Sequence, residues 1–341
     1  MTNSIELLHN VNLGPYNSFG INVLAKDFVN FNTVQQLEVI LQLPEAQQQL
    51  LVLGGGSNVL LTADVNALVL HNCIDGMAIV YEDDAVAHVK AGAGVSWHAF
   101  VLFCLEHNLG GAENLSLIPG SVGASPMQNI GAYGVELKDT FLSLSAWHIK
   151  DGVLVNFEKA DCKFGYRESV FKNELKHQFV IIDVTFILQK KHKLNTSYGA
   201  IEAELKNMKI ETPTIQDVSA AVIKIRKEKL PDPREIGNAG SFFKNPEIDL
   251  NHFQHLQSAF PGIVGYPTHV NTIKLAAGWL IEQCGWKGFR RGDAGCHALQ
   301  ALVLINYGGA SGTEIIQLAQ NIIRSVQQKF DVTLQVEVNV I

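Results

Sequence analysis

Cysteine is scarce in this chain and unpatterned. Cys73, Cys104, Cys162, Cys284 and Cys296 are scattered, odd in number and contain no C-x-x-C pair. A disulfide framework or zinc site is therefore not expected. The thiols read as small buried hydrophobes in a reducing compartment, and no metal is expected. Long apolar runs are also missing: no stretch of about 18 such residues occurs, so no membrane span is expected. Met1–Asn10 lacks a basic region followed by an apolar core, so no signal peptide is expected and the location reads as cytoplasmic. Positive charge is not in excess. With 26 Lys+Arg against 33 Asp+Glu the net charge is −7, which argues against general nucleic-acid binding. A local basic pocket for a small anionic substrate is compatible with that balance.

The usual nucleotide fingerprints fail as well. In G-x-G-x-x-G, Val59 fills the third glycine position after Gly54-Gly55-Gly56, and Trp97 fills it after Gly92-Ala93-Gly94. There is no G-x-x-x-x-G-K-[ST] loop either. A nucleotide must bind in some other way.

What is present is material for large cores: 341 residues, 47% hydrophobic and 17% charged, enough for two or three domains. Thr33 with Gln36 predicts a capped helix whose Val34, Leu37 and Leu41 share a face. A buried strand is expected at 50–53, ending at three glycines. Strands are expected at 78–81 and 86–90, followed by a helix capped by Ser96 and ended by Gly110-Gly111. A hairpin turns at Asp151-Gly152, and 180–188 reads as a strand buried on both faces. A helix opens at Thr214 and runs towards Pro231-Asp232-Pro233, a plausible domain boundary. Beyond it come a helix near 275–284, a strand at 301–306 and a helix at 314–329. The last segment alternates Val332, Leu334, Val336, Val338 and Val340 with Thr333, Gln335, Glu337 and Asn339, which predicts a strand.

Two glycine-rich segments stand about 65 residues apart. Gly54-Gly55-Gly56-Ser57-Asn58 follows a strand, so its backbone N–H groups can converge on an anion; an ordinary tight turn would look the same. The run from Ile118 to Gly134, with two prolines and two serines, is far less ordinary. Its backbone can approach a flat ligand or a diphosphate. Together the two loops suggest a bulky diphosphate cofactor. Polar clusters at Phe164–Ser169 and Gly237–Pro246, and Glu337 alone, each have a plainer reading: a surface cation at Arg167, a turn residue at Ser241, a solvated strand edge at Glu337.

The segments GGGSN, IPGSVGASPMQNIGAYGVEL, FGYRES, KLPDP, GNAGSFFKNP, KLAAGWLIEQCG and QALVLIN occur in that order. In content and order they resemble the UDP-N-acetylenolpyruvoylglucosamine reductases, from about Asn17 to Glu337. The resemblance implies an α+β protein of three domains with an FAD-binding part of the vanillyl-alcohol-oxidase type, and an NADPH-dependent, FAD-containing enzyme of cell-wall precursor synthesis. The implied domains are 1–72 and 73–226 for FAD, the latter joined by a returning strand 331–341, and 227–330 for substrate.

The same resemblance implies that Gly54, Gly55, Gly56, Ser57, Asn58, Pro119, Gly120, Ser121, Gly123, Ala124 and Ser125 hold FAD. It implies that Tyr198, Lys229, Asn245 and Gln300 bind the UDP-sugar, with Tyr198 in a tyrosine loop. Arg167 is implied as the cation beside the substrate carboxylate and Ser241 as the proton donor. Glu337 supports the same locus, the three meeting across an inter-domain cleft. Residues 1–16 carry none of the resemblance, oligomeric state is not legible, and Ile341 follows Glu337 by four residues.

Overall fold

A computed structural model describes residues 5–47, 49–268 and 270–341; within the N-terminal stretch read above, residues 1–4 lie outside the described residues. The chain divides into two compact units. The first comprises the chain up to Val11, Ala25–Gly55 and Asn66–Glu228; the second comprises Asn12–Leu24, Gly56–Val65 and Lys229–Ile341.

In the first unit, Thr33 caps the helix Val34–Ile40 by accepting the Gln36 N–H, as its spacing predicts. That helix buries Leu37 and Ile40 with Val29, Phe31, Leu68 and Leu70 of a four-stranded sheet, in which Leu50–Leu53 runs parallel to Val65–Asn72. The larger sheet is antiparallel. Its strands, edge to edge, are Val153–Glu158, Phe141–His148, Phe179–Gln189, Val86–Gly92 and Met77–Glu82. The helix Trp97–Glu106 lays Trp97, Phe100, Val101 and Cys104 into its core. Asn108, not the Gly110-Gly111 pair, terminates that helix: it takes the left-handed conformation (φ 55°), and the Leu109 N–H closes back on the Cys104 carbonyl at 2.8 Å.

In the second unit, Gly237–Ser241, Val303–Asn306, Ala294–Cys296 and Arg290–Arg291 form an antiparallel sheet in that order. The helix Gly312–Phe330 opens with a capping box: Ser311 accepts the Glu314 N–H, and the Glu314 carboxylate accepts the Ser311 N–H at 2.8 Å. Its buried stripe is Ile315, Leu318, Ala319, Ile322, Val326 and Phe330.

The terminal segment differs from its expected form. Burial alternates only from Val332 to Gln335, and the formal strand is Asn339–Val340. The cause is a change of partner. Lys244 N–H donates to the Gln335 carbonyl and Glu337 N–H to the Phe242 carbonyl, both at 2.9 Å, whereas Asn339 and Ile341 donate to Asn58 and Leu60. All those partners belong to the second unit, so 331–341 lies there and not with residues 73–226 as expected. Cys104, Cys162 and Cys296 are buried, and burial pushes the last two thiols up to about 12; Cys73 and Cys284 are only half-buried. Among the described residues no helix is long and apolar enough to cross a membrane, and no three His, Cys, Asp or Glu side chains gather to hold a metal.

Candidate functional site

The first unit brings the two glycine-rich segments together. A Cβ on Gly54 would overlap the Ser121 hydroxyl, and one on Gly55 would come 3.0 Å from the Gly120 Cα. Gly120 itself has φ 111°, a conformation costly for any other residue. The 120–123 loop is then stitched to a third glycine turn: Trp97 N–H donates to the Gly120 carbonyl, Val122 N–H to Val95, and Gly123 N–H to Ala93 at 2.9 Å. A Cβ on Gly123 would lie 2.5 Å from the Ala93 Cβ. Pro119 and Ala124 are exposed, whereas Ser125 is buried and donates its hydroxyl to the Val122 carbonyl.

Gly56, Ser57 and Asn58 fall in the second unit, so the GGGSN segment passes from one unit to the other between Gly55 and Gly56. Gly56 has φ 57°, and any Cβ there would strike the Tyr16 carbonyl oxygen. At each of these glycines the missing side chain lets one stretch of chain lie directly against another.

One observation fits an anionic cofactor. Arg226 is hydrogen-bonded to Tyr133, yet its buried Nε has no hydrogen-bond partner among the described residues. Its charge holds down the pKa of His98, whose first cause of depression is burial, and His98 Nδ1 accepts the Leu117 N–H just before Ile118-Pro119. A buried cation with an unfilled donor is poorly explained by packing alone. Gly92–Gly94 and Arg226 were not among the expected binding residues. The failed fingerprint at Gly92-Ala93-Gly94 was the available signal for the first; a cation inside an amphipathic helix offered none.

Arg167 sits at the tip of a tight hairpin, where Gly165 and Glu168 exchange backbone hydrogen bonds of 3.0 and 3.3 Å. Its φ of 56° is strained for a residue with a long side chain. The guanidinium donates to the Gly131 carbonyl and lies 5.2 Å from the Tyr166 ring centroid. Asn129, fully buried, donates to the Gly165 carbonyl at 2.9 Å, and the Ser169 hydroxyl donates to Met127. The hairpin is thus held against the 127–131 loop, which explains the polarity of FGYRES. Tyr198 remains 51% exposed, with its ring edge-on to Tyr133 at 5.4 Å.

In the second unit Ser241 ends a strand and stands opposite Val303. The residues after it are flanked on both sides: Phe242 N–H donates to the Leu302 carbonyl at 2.7 Å and its own carbonyl accepts from Glu337. Glu337 therefore faces Phe242 across the ribbon, one residue from Ser241, and both Ser241 and Glu337 are half-buried. Asn58 backs the same segment through its side chain to the Glu337 carbonyl. Asn245 and Gln300 gather at the start of the helix Ala277–Gln283. Asn245 Oδ1 accepts the Ala277 N–H at 3.0 Å, and a Cβ on Gly278 would lie 3.1 Å from Gln300 Oε1. Lys229, the last residue of the helix Ile215–Lys229, is exposed.

Comparison with known proteins identifies two families along the chain. Residues 26–158 match the family model "FAD binding domain", and residues 232–341 match "UDP-N-acetylenolpyruvoylglucosamine reductase, C-terminal domain". An FAD-binding domain followed by a reductase domain defines the class: an α+β, FAD-dependent oxidoreductase. The chain is 49% identical over 99% of its length to all of UDP-N-acetylenolpyruvoylglucosamine reductase of Flavobacterium johnsoniae. It is also 49% identical over 98% of its length to 99% of the Pseudomonas aeruginosa protein of the same name. The crystal structure of that reductase from Thermus caldophilus shares the fold, with a TM-score of 0.66 at 23% identity over 99% of this chain and 98% of that one. The chain belongs to the UDP-N-acetylenolpyruvoylglucosamine reductase family.

Gly123→Ala forces overlap with Ala93, a strain of about 1–3 kcal/mol in a packed site. It is expected to leave the fold intact while purifying with less than half the wild-type flavin content. Full flavin occupancy, read from absorbance, would remove the 120–123 loop from the cofactor site.

Proposed function

We propose that this protein reduces the enolpyruvyl ether of UDP-N-acetylenolpyruvoylglucosamine to UDP-N-acetylmuramate, with NADPH as the hydride source, in cytoplasmic peptidoglycan precursor synthesis. The carrying observation is near-full-length identity to relatives of that name, in a chain whose Ser241 and Glu337 occupy neighbouring backbone segments. Residues 1–72 and 73–226 are assigned to FAD and 227–330 to substrate. The segments 54–58 and 119–125 would hold FAD, which would supply the hydride relay between the nicotinamide and the substrate's terminal methylene carbon.

The chain's own residues do the rest. Hydride addition leaves carbanion character on the adjacent carbon, delocalised into the carboxylate, and Arg167 stabilises that charge. The Ser241 hydroxyl gives its proton to the carbon. Serine is a weak acid, but the enolate-like intermediate is a strong base, and the resulting alkoxide must be reprotonated. Glu337 serves protonated or as a proton relay, because an ionised carboxylate would repel the forming anion. Arg167 acts on the same substrate. Asn245 and Gln300 hold the nucleotide-sugar, Tyr198 covers the UDP portion, and Lys229 pairs with the diphosphate.

The direct test is product analysis. Incubation with NADPH and the enolpyruvyl nucleotide-sugar must yield a product heavier by two hydrogens; unchanged nucleotide-sugar with NADPH oxidised by oxygen alone would refute the assignment. Lys229→Ala tests the binding half. It is expected to raise KM roughly ten-fold or more with little change in kcat, because a contact kept throughout the reaction contributes equally to ground and transition states. An unchanged KM would make Lys229 an ordinary surface charge.

A further inference from the structure

Tyr198 is exposed, yet the chain just before it is held by side-chain amides. The turn Tyr133-Gly134 closes a two-residue hairpin in which Gly131 pairs with Glu136 and Ala132 with Val135. Both turn residues take the left-handed conformation, at φ 50° and 79°, as such a turn requires. The Tyr133 carbonyl accepts from Asn114 Nδ2 and the Gly134 carbonyl from Asn195 Nδ2, both at 3.1 Å. Asn114 Nδ2 also donates to the Asn195 carbonyl at 2.8 Å. Three bonds thus close a clasp joining residue 114, the hairpin tip and residue 195. Asn114 is buried and gives both its donors to the clasp, although its Oδ1 then has no partner among the described residues. The two carbonyls dictate that orientation, since the flipped amide would set oxygen against oxygen.

The clasp lies three residues before Tyr198. Asn195 Oδ1 also accepts the Ser197 hydroxyl at 3.0 Å. A Cβ on Gly134 would come 3.3 Å from Asn195 Nδ2, so the amide sits directly on the turn. Beyond Tyr198, the helix Gly199–Asn207 is anchored by Ile201 and Leu205, which are buried with Val218, Ala221 and Val222. Residues 196–198 therefore bridge two fixed points. The same hairpin accepts the Arg167 guanidinium at its Gly131 carbonyl, and its tip meets the Tyr198 ring through Tyr133. Tyr198 is thus set relative to the element that holds Arg167.

We propose that Asn195 is a positioning residue for nucleotide-sugar binding: its amide, bonded to Gly134, holds Tyr198 where it closes on the UDP portion. The inference rests on the role of Tyr198 proposed above. Asn195 acts through Tyr198 and not on the ligand. It lowers the entropy cost of ordering a short exposed bridge at the moment of binding.

Asn195→Asp keeps the shape and the acceptor for Ser197 but cannot donate to Gly134, whereas Asn195→Ala removes both bonds. Each is compared with wild type in the FAD-loaded protein, alone and combined with Tyr198→Ala. Both single variants are expected to raise KM for the nucleotide-sugar roughly five- to ten-fold with kcat within two-fold, the effect of one hydrogen bond. Flavin content and thermal stability should stay near wild type, because the bond from Asn114 to the backbone of residue 195 remains. In the Tyr198→Ala background the same changes are expected to cost less than two-fold further, since the ring they act through is gone. Undiminished losses in that background would overturn the proposal. So would a KM within two-fold of wild type in Asn195→Asp, or a loss seen only together with lost flavin or lowered thermal stability. If wild type does not turn over the enolpyruvyl sugar, it is the proposed function that fails. The thermal stabilisation that UDP-N-acetylglucosamine confers on the same variants then decides the role of Asn195.

Discussion

Ser241→Ala is expected to leave reduction of bound flavin by NADPH within about two-fold of wild type and to slow reduction of the nucleotide-sugar by roughly a hundred- to ten-thousand-fold, the range a positioned proton donor contributes. The asymmetry is the informative part, because the hydroxyl is required only after hydride has reached the substrate. Folding should be unaffected. Ser241 is half-buried at a strand end, and the adjacent hydrogen bonds, Phe242 to Leu302 and Glu337 to Phe242, are all main-chain. Stopped-flow measurement of the two half-reactions checks this. Equal slowing of both would mean that Ser241 is not a dedicated proton donor.

The second large effect is expected at Glu337. Glu337→Gln changes charge and acidity while preserving shape, and the backbone bond from residue 337 to Phe242 does not involve the side chain. Thermal stability should stay close to wild type while turnover falls roughly a hundred-fold or more. The loss should again fall on the substrate half-reaction. A variant with near-normal turnover would make this carboxylate only the polar side of a terminal segment. The structure sharpens the question, because Glu337 is not fully solvated and its segment is held on both sides, by 242–244 and by 58–60.

Local signals were legible where local chemistry decides. Thr33 caps its helix as its spacing predicts, and the helix expected at 314–329 is present as Gly312–Phe330. Ser96, expected as a cap, makes no side-chain cap bond. The α+β class and the FAD-binding part followed from ordered motifs, and the family comparisons agree with both. What escaped was pairing between distant segments. Alternation from Val332 to Val340 predicts a strand but not that it changes partner midway, since period alone does not name a neighbour. Gly110-Gly111 looked like a helix stop, but Asn108 reached the left-handed conformation first. Asparagine tolerates it through its short polar side chain.

The site shows the same division. Glycines announced a close backbone approach, yet only folding reveals that Gly55 lies against Gly120 and Gly123 against Ala93. Arg167 was legible as a motif residue but not as the strained tip of a hairpin pinned by Asn129. Arg226 and Asn114 were invisible for a common reason. Their distinction is a buried polar atom without a partner among the described residues, a property of the surroundings and not of the residue type.

The central claim, a flavin reduced by NADPH and reoxidised by one particular nucleotide-sugar, is tested most directly without oxygen. Purified protein is bleached with a single equivalent of NADPH, and candidate nucleotide-sugars are added in turn. UDP-N-acetylenolpyruvoylglucosamine is expected to restore the oxidised flavin spectrum one for one, whereas UDP-N-acetylglucosamine, lacking the enolpyruvyl ether, is not. A flavin that stays bleached with the enolpyruvyl sugar but recovers its colour with oxygen would contradict it.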